Sequence, residues 1–217
     1  MQKDFSQVIA IDGPAASGKS TVALAVAREL GWPVLNSGAL YRLVTWACLQ
    51  RCINCSDSEA VAGCVPGLGL RIDQVGLECR PCLDSVSPSQ DLCAPAVTAH
   101  VAFVASVPVV RQKLTTLMRE FAASRHLVVE GRDIGSVVFP DARYKFYLHA
   151  DLAVRQARRL REGHAEDIQK RDTLDRSRQQ SPLKVPDTAV IVDTSTLAIT
   201  EVVQAILVKL RQPALVG

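Results

Sequence analysis

Residues 10–21 read AIDGPAASGKST, and within them Gly13, Gly18, Lys19 and Ser20 fit the spacing G-x-x-x-x-G-K-[ST]. The run follows the apolar stretch Val8-Ile9-Ala10-Ile11 and precedes a helical pattern from Thr21 to Leu30. Strand, glycine loop and helix therefore stand in the order that a phosphate-binding loop needs. Glycines let the backbone turn around an anion so that successive N–H groups point inward, and the following helix adds the positive end of its dipole. Lys19 supplies a point charge for β- and γ-phosphates, and the Ser20 hydroxyl suits the shell of a Mg²⁺ ion. The residues expected to cradle the donor phosphates are Gly13, Pro14, Ala15, Ala16, Ser17, Gly18, Lys19, Ser20 and Thr21. Gly31 closes the helix. The loop predicts a phosphate site and leaves the acceptor open.

Beyond the loop, the chain alternates strands and helices, which predicts a parallel α/β sheet with helices on both faces. Pro33-Val34-Leu35 reads as a second strand and 37–50 as a helix. The stretch 66–92 is rich in Gly, Pro and Ser, with short alternating pieces, and reads as a small β insertion. Helical periodicity returns over 96–106 and 108–124. Leu127-Val128-Val129 is a strand ending in Glu130-Gly131-Arg132-Asp133, and 144–148 is another. The helix over 151–162 carries Arg155, Arg158 and Arg159 at i, i+3 and i+4, hence on one face. That face reads either as a solvated basic surface or as a lid that closes arginines over a nucleotide. Residues 189–192 form the last strand and 198–210 the closing helix.

The 217 residues suffice for one core with one or two inserted subdomains. With 48% apolar and 22% charged residues, the composition is that of a globular protein. No segment approaches the roughly 18 uncharged apolar residues of a membrane span, and the N-terminus runs directly into a strand, so neither a leader peptide nor a membrane partner is expected. A formal charge of +3 is too small to argue for nucleic acid. The arginines between Arg111 and Arg178 are interleaved with carboxylates, an arrangement that suits clamps around a small polyanion. All seven cysteines fall between Cys48 and Cys93. Cys52 with Cys55 and Cys79 with Cys82 have C-x-x-C spacing, which leaves two readings open, a zinc site or small buried apolar residues.

Four stretches, IDGPAASGKST, NSGALYR, EGRDIGSVVFPDA and RDTLDRSRQQSPL, together resemble the nucleoside monophosphate kinases, and more narrowly the bacterial cytidylate kinases. They occur in the family's order over nearly the full length. The resemblance implies a P-loop NTPase fold with a five-stranded parallel core, a single kinase domain over 1–217, a monophosphate-binding insertion at about 65–95 and a helical lid at about 155–175. It implies transfer of the γ-phosphate of ATP to CMP and dCMP with Mg²⁺ held at Ser20 and Glu130. Lys19, Arg132, Arg178 and Arg158 are the implied catalytic groups, and Arg159 joins the loop residues on ATP. Ser37, Arg42, Arg132 and Arg178 would hold the acceptor phosphate, Arg171 and Asp175 the ribose, and Arg111 and Asp133 the cytosine, with Tyr41 beside the base. A cytoplasmic monomer acting on free nucleotides is expected.

The pattern is broken in three places. Glu130 stands where the family usually has Asp, a mild change because either carboxylate can orient metal-bound water. Ala102 stands where the family has a Ser that reads the cytosine amino group, and Leu92-Cys93 where an Ile-Arg pair is common. Ser106, one helical turn beyond Ala102, is the candidate replacement hydroxyl. Losing a hydroxyl that bonds a buried base costs about 1 to 3 kcal/mol, enough to blunt base selectivity and keep turnover. A broader UMP/CMP kinase, another small-molecule P-loop kinase acting on shikimate or dephospho-coenzyme A, and a nucleotide-binding module without turnover are the alternatives.

Overall fold

β1 (Val8–Asp12) is buried at every position, which requires cover on both faces of the sheet that contains it. The structure, a computed structural model, describes residues 7–161, 168–177 and 181–211, with the backbone alone for Lys170 and Arg171. After β1 come α1 (Lys19–Leu30), β2 (Val34–Asn36), α2 (Ser37–Gln50), α3 (Ser58–Cys64), β3 (Leu70–Val75) and β4 (Glu78–Leu83). Then follow α4 (Pro95–Val104), α5 (Pro108–Ala122), β5 (Leu127–Gly131) and β6 (Tyr144–His149). The chain closes with α6 (Leu152–Arg161), α7 (Ile168–Ser177), β7 (Val190–Asp193) and α8 (Ile199–Arg211).

The strand order is β3-β4-β2-β5-β1-β6-β7. β2, β5, β1, β6 and β7 form the expected parallel five. The sheet nevertheless has seven strands rather than five. β4 pairs parallel to β2, with Leu35 opposite Cys79, and β3 folds back antiparallel on β4. The physical reason is the edge of β2, whose backbone N–H and C=O groups need partners, and β4 supplies them.

Period-2 alternation divides the core between the two faces. Val8, Ala10, Leu127 and Val129 face Leu40, Leu43, Leu114 and Met118 of α2 and α5. Ile9, Ile11, Val128 and Phe146 face Val22, Val26 and Ile206 of α1 and α8. α1 stops at Gly31, where φ is +67° and the Trp32 N–H donates to the Ala27 carbonyl at 3.0 Å. Asn36 caps α2 by accepting from the Ala39 N–H at 3.1 Å. The register sets Asp12 opposite Gly131 and Asn36 opposite Glu130, so three strand ends open at one rim. Ligands of open α/β sheets bind outside the carboxyl ends of the strands. Among the described residues no helix is long and apolar enough to cross a membrane.

Candidate active site

The loop between β1 and α1 needs glycine for close approach. At Gly13 φ is +152°, and a Cβ there would lie 2.2 Å from the Leu148 carbonyl oxygen. Lys19 curls over the loop and donates from Nζ to the Pro14 carbonyl at 2.6 Å. The Ser20 hydroxyl donates to Glu130 Oε1 at 2.7 Å, bringing two hard oxygen donors to the mouth of the loop. Such donors suit Mg²⁺, which takes one or two protein oxygens and completes its shell with phosphate and water. Asp12, fully buried, accepts from the backbone N–H groups of Ile134 at 2.8 Å and Gly135 at 2.7 Å. Burial pushes its pKa up to about 7 against the opposing pull of those two bonds.

A cavity of about 470 Å³ opens from this loop. Lys19, Ser20 and Glu130 stand at one end. Ser37, Tyr41 and Arg42 of α2, Arg111 of α5, Arg132 and Asp133 after β5, and Asp175 of α7 line the rest. Arg111 is ion-paired with Asp133 in a buried pair, donates to the Ala105 carbonyl at 3.0 Å, and lies 5.2 Å from the Tyr41 ring centroid. Arg132 Nε donates to Asp175 Oδ2 at 3.0 Å. Burial works against the charge of Arg132, but Asp175, Glu130 and Asp172 outweigh it and hold its pKa above the ordinary arginine value. Arg42 lines the same cavity while donating to the Thr98 hydroxyl at 2.8 Å and the Leu92 carbonyl at 3.0 Å, which ties α2 to α4.

Arg155, Arg158 and Arg159 of α6 are not a solvated basic face. Arg159 lines the main cavity. Arg158 donates to the Thr194 hydroxyl at 3.2 Å and carbonyl at 2.5 Å, and borders a second cavity of about 200 Å³ with Gly18, Thr21, Leu197 and Ile199. Arg155 is buried against Asp172. The side chain of Arg171, and Arg178 altogether, lie outside the described residues. Ala102, Leu92 and Cys93 are on the cavity wall. Ser106 is not the replacement hydroxyl: it is exposed and donates to the Phe103 carbonyl at 2.6 Å, because the turn after α4 carries it away from the cavity. Among the described residues, which include every cysteine, no group of three or more His, Cys, Asp or Glu is placed to hold a metal. Burial pushes the thiols of Cys48 and Cys79 up to about 12.

Sequence reasoning passed over Asp12, Asp172 and Thr194. A carboxylate closing the apolar run of β1 was a signal for Asp12. Asp172 stands three residues before Asp175, a spacing that puts both on one helix face. Thr194 carried no signal, since its hydroxyl meets the Ser17 carbonyl at 3.0 Å across 177 positions of chain.

The family model for cytidylate kinase matches residues 9–212. A cytidylate kinase of Caldanaerobacter subterraneus subsp. tengcongensis is 37% identical over 215 residues, covering 94% of each chain. One from Nocardia farcinica is 40% identical, covering 94% of this chain and 93% of that one. Among solved structures, a gluconokinase from Sinorhizobium meliloti 1021 shares the fold, with a TM-score of 0.50 at 20% identity over 95% of this chain and 94% of its own.

Proposed function

The chain belongs to the cytidylate kinase family, and from that premise we propose that it transfers the γ-phosphoryl group of ATP to CMP and dCMP, giving ADP and CDP or dCDP. One observation carries the reading. The loop end with Lys19 and Ser20 and the acceptor end with Arg132, Asp133 and Asp175 share a single cavity. Donor and acceptor phosphates can thus be aligned in one confined space.

An oxygen of the acceptor phosphate forms the new bond to the γ-phosphorus as the β–γ bridging bond breaks, and the barrier falls with alignment and charge neutralisation. Lys19 and the loop amides hold the donor phosphates. Arg132, Arg42, Arg178 and Ser37 hold the acceptor phosphate, guanidinium being the group that binds phosphate through a planar fork and keeps its charge when desolvated. Ser20 and Glu130 would hold Mg²⁺, which when bound neutralises charge on the donor phosphates. Arg171 and Asp175 meet the ribose. The Arg111–Asp133 pair meets the base, with Tyr41 beside it, and Arg158 and Arg159 approach ATP from α6, which with α7 forms the lid. The same proposal makes the protein a cytoplasmic monomer that takes its nucleotides free in solution, without nucleic acid or a membrane as partner.

Ala102 on the cavity wall favours a second, broader reading in which UMP is also accepted. ADP formation with Mg²⁺-ATP and CMP, dCMP, UMP, AMP or shikimate separates the cases. Turnover with CMP and dCMP is expected. Comparable turnover with UMP would make it a pyrimidine kinase, and binding of ATP without turnover on any acceptor would make it a nucleotide-binding module. An Ala102→Ser variant should raise the preference for CMP over UMP by roughly fivefold or more, the effect of about one hydrogen bond. An unchanged ratio would remove Ala102 from the account of selectivity.

A further inference from the structure

The phosphate loop is gripped from outside by two residues that the proposed chemistry does not use. Arg155 of α6 and Asp172 of α7 form an ion pair at 2.5 Å whose side chains are 7% and 6% exposed. Both partners also bond the same residue of the loop. Asp172 Oδ1 accepts from the Ala15 N–H at 3.2 Å, and Arg155 Nη1 donates to the Ala15 carbonyl at 3.1 Å. Arg155 Nε donates in addition to the Ala150 carbonyl at 2.9 Å, just before α6. The pair therefore links α6, α7 and the end of β6 to one residue in the middle of the glycine loop. Ala15 itself lines the main cavity.

An isolated buried ion pair is weak evidence for a stabilising role, because desolvation offsets most of its Coulombic gain. Here the spare donors and acceptors of the pair are spent on the backbone of the loop. Asp172 is also one helical turn from Asp175, which bonds Arg132 in the cavity. Any shift of α7 relative to the loop is thereby transmitted to the acceptor end. We propose that Arg155 and Asp172 are positioning residues: together they fix the Ala15 peptide and set the register between the donor loop and the α6–α7 groups that close on the substrates. The proposal rests on the phosphotransfer reading above only for its kinetic arm.

Truncating one partner leaves a buried charge, so single variants are paired with a double one. Replacing a buried ion pair by apolar residues of similar volume is often neutral for stability. Arg155→Met with Asp172→Leu thus restores packing and leaves Ala15 without its two bonds. We expect this double variant to keep a thermal midpoint close to wild type, while kcat falls roughly 10- to 100-fold, as misplacements of about an ångström do. KM for both ATP and CMP should rise, and hydrogen exchange in a peptide spanning Ala15 should quicken while that of α1 does not. Full kcat in the double variant, or unchanged exchange at Ala15, would overturn the proposal and leave the pair a packing feature. If wild-type protein gives no CDP, the phosphotransfer reading fails by itself. The exchange experiment, together with ATP affinity in wild type and variants, still decides the role of the clip: slower exchange and tighter ATP binding in wild type support it, and equality overturns it.

Discussion

At the scale of single residues, the site depends on positions where a different side chain would not fit or would not do the chemistry. Gly13 is the sharpest case, since the obstacle to a Cβ is the Leu148 backbone carbonyl at 2.2 Å and not a side chain that can rotate away. Gly13→Ala should cost about 1 to 3 kcal/mol from overpacking and strain. In a chain of this size that lowers the thermal midpoint by about 2 to 4 °C per kcal/mol, and a melting curve within 1 °C of wild type would contradict it. Glu130 is a different kind of constraint, a carboxylate whose Oε1 lies 2.7 Å from the Ser20 hydroxyl. Glu130→Gln removes the charge and keeps the shape. About 10- to 100-fold loss of kcat with a raised Mg²⁺ requirement is expected, measured as ADP formation over a Mg²⁺ titration. An unchanged Mg²⁺ dependence would remove Glu130 from the metal's surroundings.

Between elements, the connection that orders the site is the end of β1 against the turn after β5. Asp12 accepts two backbone N–H groups there, so the strand that launches the phosphate loop also fixes the segment that bears Arg132 and Asp133. A carboxylate is the form that accepts both bonds, yet burial raises its pKa from 3.8 to about 7. Between those two pH values the folded protein holds a proton that the unfolded chain has released. Stability from this group is therefore full below pH 3.8 and is lost as pH rises through about 7. The slope approaches about 1.4 kcal/mol per pH unit at most. Urea unfolding from pH 5 to 8 should show wild type losing stability relative to Asp12→Asn, whose side chain carries no such proton. Parallel curves would refute the assignment.

For the molecule as a whole, two apolar clusters on opposite faces of one sheet leave the substrates to bind across a rim built from separate elements. Substrates that bind only the folded form should raise its stability by about 2.7 kcal/mol at a hundredfold excess over Kd, or about 5 to 10 °C in thermal midpoint for a chain of this length. Mg²⁺-ATP with CMP together should exceed either alone in a thermal shift experiment, whereas no added shift from CMP would argue against an acceptor site in the main cavity. Local sequence settled what depends on neighbours along the chain, the glycine loop with Lys19 and Ser20 and the alternating strands and helices, whereas the cavity residues from Ser37 to Asp175 came only from the family resemblance. Loop geometry and amphipathic period are set within a few residues. Packing of distant elements, by contrast, made the hairpin of β3 and β4 extend the sheet to seven strands, since the free edge of β2 is not visible in β2 alone. Likewise it sent Arg155 inward to Asp172 while Arg158, on the same helix face, bonds Thr194 and Arg159 lines the main cavity, and it turned Ser106 outward. Those outcomes depend on which distant group offers a desolvated charge its counter-charge or a strand edge its hydrogen bonds, and that is fixed only once the elements are packed.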